Sequence, residues 1–277
     1  MRCSFRGTIC RKNVGTRIQN LYKWSIGMKK AIFTNDTDVR LGFEIECIIR
    51  GTATRAPSNQ LSDNYYSFSH PHNINWTKFC REIRELKKSI SIGDDHSINS
   101  NGFGYNARTA EIRTPPLAPK DAMEVLKSVF DIVNKYGATN SSCGFHVNIS
   151  SVHKNKMLNF NPLPFLSSNL WDQILKKFNR AGNKYCKASF TVNRDKSVSK
   201  VHLFRSMIDN SDDKYHCVNL NHFGNGMNKL SRVEIRGFGN KDYTKKYDTI
   251  ARFVKRIEKL FRLSCDSHLP FARTFNV

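Results

Sequence analysis

Two glutamates one residue apart in an otherwise apolar run, Arg40 to Arg50 (RLGFEIECIIR), constrain this chain more than any other stretch of it. Successive side chains of an extended strand point to opposite faces. Phe43, Ile45 and Cys47 then share one face, and Glu44 and Glu46 share the other. Neighbouring carboxylates repel, and a covered charge must be paired. The acidic face therefore calls for solvent or a cation, and a metal is the first candidate.

The same alternation recurs in Thr109 to Arg113 (TAEIR), Gly144 to Ile149 (GFHVNI), Cys217 to Asn221 (CVNLN) and Arg232 to Arg236 (RVEIR). In these runs Glu111 aligns with Arg113, His146 with Asn148, Asn219 with Asn221, and Glu234 with Arg236. Ile112, Phe145, Val147, Ile149, Val218, Leu220, Val233 and Ile235 fall on the opposite side. Taken singly, each run describes an ordinary half-exposed strand. Taken together, they describe one sheet with an apolar back and a functional front.

Helical periodicity fills the intervals. Asn75 is expected to cap a helix to about Lys88, Pro119 opens a second that Gly137 stops, Leu170 to Arg180 forms a third, and Asp242 to Leu263 the last. A turn at Asp94-Asp95-His96-Ser97 and a Gly/Asn-rich hairpin over Asn99–Asn106 lead into TAEIR. This order predicts an α+β fold, a mostly antiparallel sheet with helices packed on one face.

At 277 residues the chain can bury a substantial core. Residues 28–277 are read as a single catalytic domain. Residues 1–27 contain no acidic residue and carry six Lys or Arg, at positions 2, 6, 11, 12, 17 and 23. This basic extension fits an organelle transit peptide, a disordered basic arm, or translation that starts at Met28. No transmembrane run or signal-peptide core is visible, so a soluble, cytoplasmic protein is expected. Eight cysteines without a CxxC pair point to buried thiols in a reducing compartment.

The net charge of +22 draws in polyanions: nucleic acid, nucleotide phosphates or an acidic substrate. The basic residues are spread along the chain, without an RNP, zinc-finger or helix-turn-helix signature.

The front of the sheet offers Glu44, Glu46, Glu111, Glu234 and His146, with Asp95 in a nearby turn. Carboxylates with one imidazole are a hard-cation set, suited to Mg²⁺ or Mn²⁺ rather than to thiolate-bound zinc. So many ligands point to two or three ions bridging a nucleotide. Arg113 and Arg236 are placed to grip phosphate oxygens. His70 and His72, in a polar loop, are further candidate ligands. Cys143 lies at odd spacing from His146, on the other face of a strand, which argues against a thiol nucleophile. These residues alone suit phosphoryl transfer, a Mg-dependent nuclease or a nucleotidyl transferase. The charge also leaves open a non-catalytic nucleic-acid-binding protein.

GFEIE, the Asp95-His96-Ser97 turn, AEIRTPPL, SSCGFHVNIS, KYHCVNLN and RVEIRGFGN follow one another from about Leu41 to Asp248. In this order and spacing they resemble the amidoligase family, phage- and microbe-associated relatives of glutamine synthetase and glutamate–cysteine ligase. The resemblance implies a glutamine-synthetase-like catalytic sheet and an ATP-dependent carboxylate–amine ligase acting through an acyl phosphate. It implies that Glu44, His146 and Glu234 hold a metal beside the ATP phosphates, while Glu46, Asp95 and Glu111 hold one nearer the carboxylate and the amine. Arg236 would neutralise the transferring phosphoryl group, with Asn219 at the nucleotide, and Lys214 would supply a further basic group. The turn reads DHS where DGS is usual, and the histidine strand reads HVN where HVH is common, which leaves Asn148 without an assigned role.

Overall fold

The computed structural model describes residues 38–51, 73–104, 106–153, 160, 168–187, 215–220 and 232–265. Lys214, Asn221, His70, His72 and residues 1–27 lie outside the described residues.

The alternating runs form strands β1 (Val39–Ile49), β2 (Ser91–Gly93), β3 (Arg108–Arg113), β4 (Gly137–Ala138), β5 (Gly144–Ser151), β6 (Val218–Asn219) and β7 (Val233–Gly239). They make one seven-stranded sheet in the order β2-β3-β1-β5-β7-β6, with β4 pairing beside β1 and every pairing antiparallel. With the helices below, this is the expected α+β architecture. Register brings the polar residues into rows: Glu44 lies opposite both Arg113 and His146, Glu46 opposite Glu111, and Glu234 opposite both Asn148 and Asn219.

Between β5 and β7 the register shifts, so that Arg236 and Gly237 together oppose the single residue His146. Such an extra residue bends its strand and re-aims a side chain. Here it carries Phe238, which strict alternation would place beside Glu234 and Arg236, onto the apolar back against Phe145, while Arg236 donates to Glu234 on the polar face. Gly237 meanwhile closes on the back, where a Cβ would lie 2.6 Å from Cys217 Sγ.

Helices α1 (Ile74–Leu86), α2 (Pro119–Tyr136), α3 (Leu170–Lys177) and α4 (Tyr247–Cys265) complete the described fold, with a 3₁₀ turn at Tyr243–Lys246. α2, α3 and the 3₁₀ turn pack on the apolar back of the sheet. Its hub is Phe145 on β5, whose ring centroid lies 5.5–5.9 Å from those of Phe43, Phe130, Phe238 and Tyr243. Burying such a ring contributes about 1.5–3 kcal/mol, so the back holds the polar front in place.

Several helix ends differ from expectation. Asn73, not Asn75, caps α1: its side chain accepts from Trp76 N at 3.1 Å, while Asn75 Nδ2 donates to Arg50 O. α1 stops at Leu86 as Lys87 goes extended. α3 stops at Lys177 because Asn179 takes a left-handed φ of 50°. The last helix begins later, at Tyr247, because Asp242 is also left-handed and the chain first makes a 3₁₀ turn. No described helix is long and apolar enough to cross a membrane.

Candidate active site

Three adjacent strands, β1, β5 and β7, each deliver one group to the same point of the polar face. Glu44, His146 and Glu234 each place a ligand atom within 4.8 Å of the others. His146 Nδ1 lies 3.1 Å from Glu44 Oε2 and 3.3 Å from Glu234 Oε1, and Nε2 lies 3.7 Å from Glu46 Oε1. One buried imidazole thus stands among three carboxylates.

A second layer orients them. Asn148 Nδ2 donates to Glu44 Oε1 at 3.0 Å, and Asn219 Nδ2 donates to Glu234 Oε2 at 2.7 Å. Arg236 Nη1 donates to Glu234 Oε1 at 2.6 Å. The amide of Gly144 donates to Glu46 Oε2 at 2.5 Å, and Tyr243 Oη donates to the Glu46 carbonyl at 2.8 Å. Hydrogen bonds of this kind fix the direction in which a carboxylate presents its remaining lone pairs. Sequence reading left Asn148 unassigned; its even spacing from His146 was the available signal. Backbone donation by Gly144 has no side-chain signal at all.

Burial pushes the Glu44 carboxyl up, but hydrogen bonding and charge from His146, the Asn148 amide and the charge of Arg232 outweigh it and lower the group to about 2. In the unfolded chain the same group titrates near its ordinary value of 4.5. A depressed folded pKa contributes stability that is complete above the unfolded value and lost as pH falls through the folded one. In metal-free protein, the stability difference between wild type and Glu44→Gln should therefore be flat above about pH 4.5 and fade towards about pH 2. Urea unfolding at stepped pH measures it. A difference that persisted unchanged below that window would contradict this environment for Glu44.

Glu46 on β1 lies opposite Glu111 on β3, and Asp95 lies in the turn after β2. Burial pushes the Glu111 carboxyl up; Arg113 opposes this, while Glu44, Asp95 and Glu46 add to it. Glu111 pairs with Arg113, whose side chain is largely exposed. Asp95 accepts from Ser97 N at 2.8 Å and Ser97 Oγ at 2.7 Å, closing the turn expected there. Among the described residues these three acids do not converge as tightly as Glu44, His146 and Glu234 do. Burial pushes the Cys143 thiol up to about 12, which agrees with its exclusion as a nucleophile.

The donor set fits a hard divalent cation: two carboxylates and one imidazole, with Glu46 adjacent. Two further polar atoms at the cluster, Asn148 Oδ1 and Arg236 Nε, are buried without a hydrogen-bond partner among the described residues. Room is kept by Gly144, where a Cβ would sit 3.0 Å from His146 Nε2 and 3.1 Å from Glu46 Oε2. Orphaned polar atoms around convergent acids mark a place built for a charged group.

No curated protein matches the chain. The family described as "putative amidoligase enzyme" matches residues 37–244. That span takes in every strand of the sheet and every carboxylate of the cluster, and the chain belongs to the amidoligase family, enzymes whose substrates are a carboxylate and an amine.

Proposed function

We propose that this protein is an ATP-dependent carboxylate–amine ligase that uses Mg²⁺ or Mn²⁺ and forms an amide or peptide bond through an acyl phosphate. The observation that carries this reading is the convergence of Glu44, His146 and Glu234 from three strands, with Arg236 bonded to one of them. The γ-phosphoryl group of ATP passes to a carboxylate oxygen of the acid substrate and ADP leaves. The amine nitrogen then attacks the acyl carbon, loses a proton and expels phosphate.

In this reading Glu44, His146 and Glu234 hold the cation beside the phosphates, and Glu46, Asp95 and Glu111 hold one on the side of the carboxylate and amine. A divalent cation bound there neutralises phosphate charge. The guanidinium of Arg236 and that of Arg113 bind oxygens of the transferring phosphoryl group. Lys214 adds a basic group, and Asn219 is assigned to the nucleotide side, where it orients Glu234. Residues 28–277 act as one catalytic domain in the cytoplasm, with 1–27 outside it.

Incubation with ATP, Mg²⁺ and mixed amino acids tests the proposal. Amine-dependent release of ADP and phosphate, with a product lighter than its two parts by one water, is the expected result. Cleavage of DNA or RNA without ATP would overturn it in favour of a nuclease.

The net charge of +22 supports an acidic or polyanionic carboxylate substrate. At about 0.15 M salt the screening length is about 8 Å, so the KM for such a substrate should rise as salt is added. A KM insensitive to ionic strength removes the argument from charge.

A further inference from the structure

Glu46 is 8% exposed, yet among the described residues no lysine or arginine pairs with it; its close donor is the Gly144 amide at 2.5 Å. Arg180 presents the mirror case. It is 5% exposed, follows α3, and no described carboxylate pairs with its guanidinium. Instead Arg180 Nη1 donates to the Cys143 carbonyl at 2.9 Å and Nε donates to Cys186 Sγ at 3.1 Å.

The Cys143 carbonyl and the Gly144 amide belong to one peptide group. Its oxygen receives Arg180, and also Asn240 N at 2.8 Å, while its N–H points at Glu46. A cation on the oxygen and a carboxylate on the hydrogen polarise a peptide in the same sense, and hydrogen bonds in such a chain strengthen one another. Two buried charges, each costly alone, are thereby neutralised through a single amide.

The flanking sequence clears the way for this. Gly144 and Gly239 are register partners. A Cβ at Gly239 would fall 2.4 Å from Arg180 Nη1 and 2.5 Å from the Cys143 oxygen. Only glycine there, at a φ of 129°, admits the guanidinium to the carbonyl.

We propose that Arg180 is a positioning residue of the site, holding Glu46 in its ligand orientation through the Cys143–Gly144 peptide. Touching neither substrate nor metal, it acts from behind the sheet. The inference rests on the reading of Glu46 as a ligand given above.

Cys143–Gly144 is the only Cys-Gly pair in the chain. Labelling cysteine with ¹³C at the carbonyl and glycine with ¹⁵N therefore yields one amide NMR correlation that reports this peptide alone. Its proton should lie far downfield in wild type and move upfield in Arg180→Gln. The Arg180→Gln displacement should shrink when Glu46 is already Gln, because the two charges act through the same group. Mn²⁺ affinity, followed by electron paramagnetic resonance, should fall about 10–100-fold in Arg180→Gln. Arg180→Lys, which keeps the charge, should recover most of it.

An unmoved correlation in Arg180→Gln overturns the proposal, as do strictly additive shifts or wild-type Mn²⁺ affinity in a protein that binds the ion. If wild type binds no Mn²⁺, the metal reading fails, while the additivity of the shifts still decides the relay. If Arg180→Gln does not fold, Arg180→Lys decides alone: a retained downfield proton and near wild-type Mn²⁺ binding support the proposal, and loss of both overturns it.

Discussion

Glu234→Gln is expected to lower ATP-dependent amide formation by about 10²–10³-fold, the usual loss when one charged stabiliser leaves a water-excluded site. Glu234 is 3% exposed, and its two oxygens are divided between partners: Oε1 takes Arg236 and lies 3.3 Å from His146 Nδ1, and Oε2 takes Asn219. Glutamine matches its volume and can still accept from one of those donors, so the sheet should keep its register. What disappears is the negative charge, and with it a hard oxygen donor for the cation and the counter-charge of Arg236. Turnover should therefore collapse while the circular dichroism spectrum and the cooperativity of unfolding stay those of wild type. Mn²⁺ binding should fall in parallel with turnover. Wild-type turnover in this variant would remove the polar face of the sheet as the catalytic centre.

The polar face was readable because period two is a local property. Each of Glu44, Glu111, His146 and Glu234 is flanked by apolar residues on both sides, and alternation alone put them on one surface. Which of them meet was not readable from alternation, since that depends on strand order and stagger; only the family resemblance grouped Glu44, His146 and Glu234. Glu44 faces His146 because β1 lies beside β5, and Glu234 joins them because β7 lies on the far side of β5. The shift at Arg236 and Gly237 left only a faint mark in the sequence. It arises from one extra residue on β7, and its one trace in RVEIRGFG is that Phe238 falls in step with Glu234 and Arg236 directly after a glycine. The two ligand sets that the resemblance assigns to separate ions also meet at one ring: Glu44 and Glu46 address opposite nitrogens of the same imidazole, Nδ1 and Nε2 of His146. The choice between Asn73 and Asn75, residues of identical type, turned on the single hydrogen bond that Trp76 N donates to Asn73 Oδ1. Arg180 lay beyond sequence reading for a different reason. Its partner is a main-chain carbonyl 37 residues earlier in the chain, and backbone acceptors leave no compositional trace.

Arg236→Lys should cost about 10²-fold in turnover even though the positive charge is kept. Two roles are available to this side chain, and lysine separates them. As a counter-ion, Arg236 needs only a charge near Glu234 Oε1, which it reaches with Nη1 at 2.6 Å. Lysine can supply that, so a purely structural Arg236 predicts near wild-type turnover and an unchanged melting temperature. As a phosphoryl-binding group, Arg236 needs the rest of its planar fork. The buried Nε has no hydrogen-bond partner among the described residues, and the side chain retains 16% exposure on the polar face, so part of the guanidinium is uncommitted there. An ammonium held by Glu234 has no second, fixed donor edge to offer a phosphoryl oxygen. The expected signature is a fall in kcat with little change in the KM for ATP, because an interaction that strengthens as charge develops on the transferring group is lost from the transition state rather than from the ground state. ADP release under saturating amine, measured beside thermal unfolding, reads both quantities. Full activity in Arg236→Lys would confine Arg236 to orienting Glu234 and would leave Arg113 as the described arginine on that face assigned to the phosphoryl oxygens.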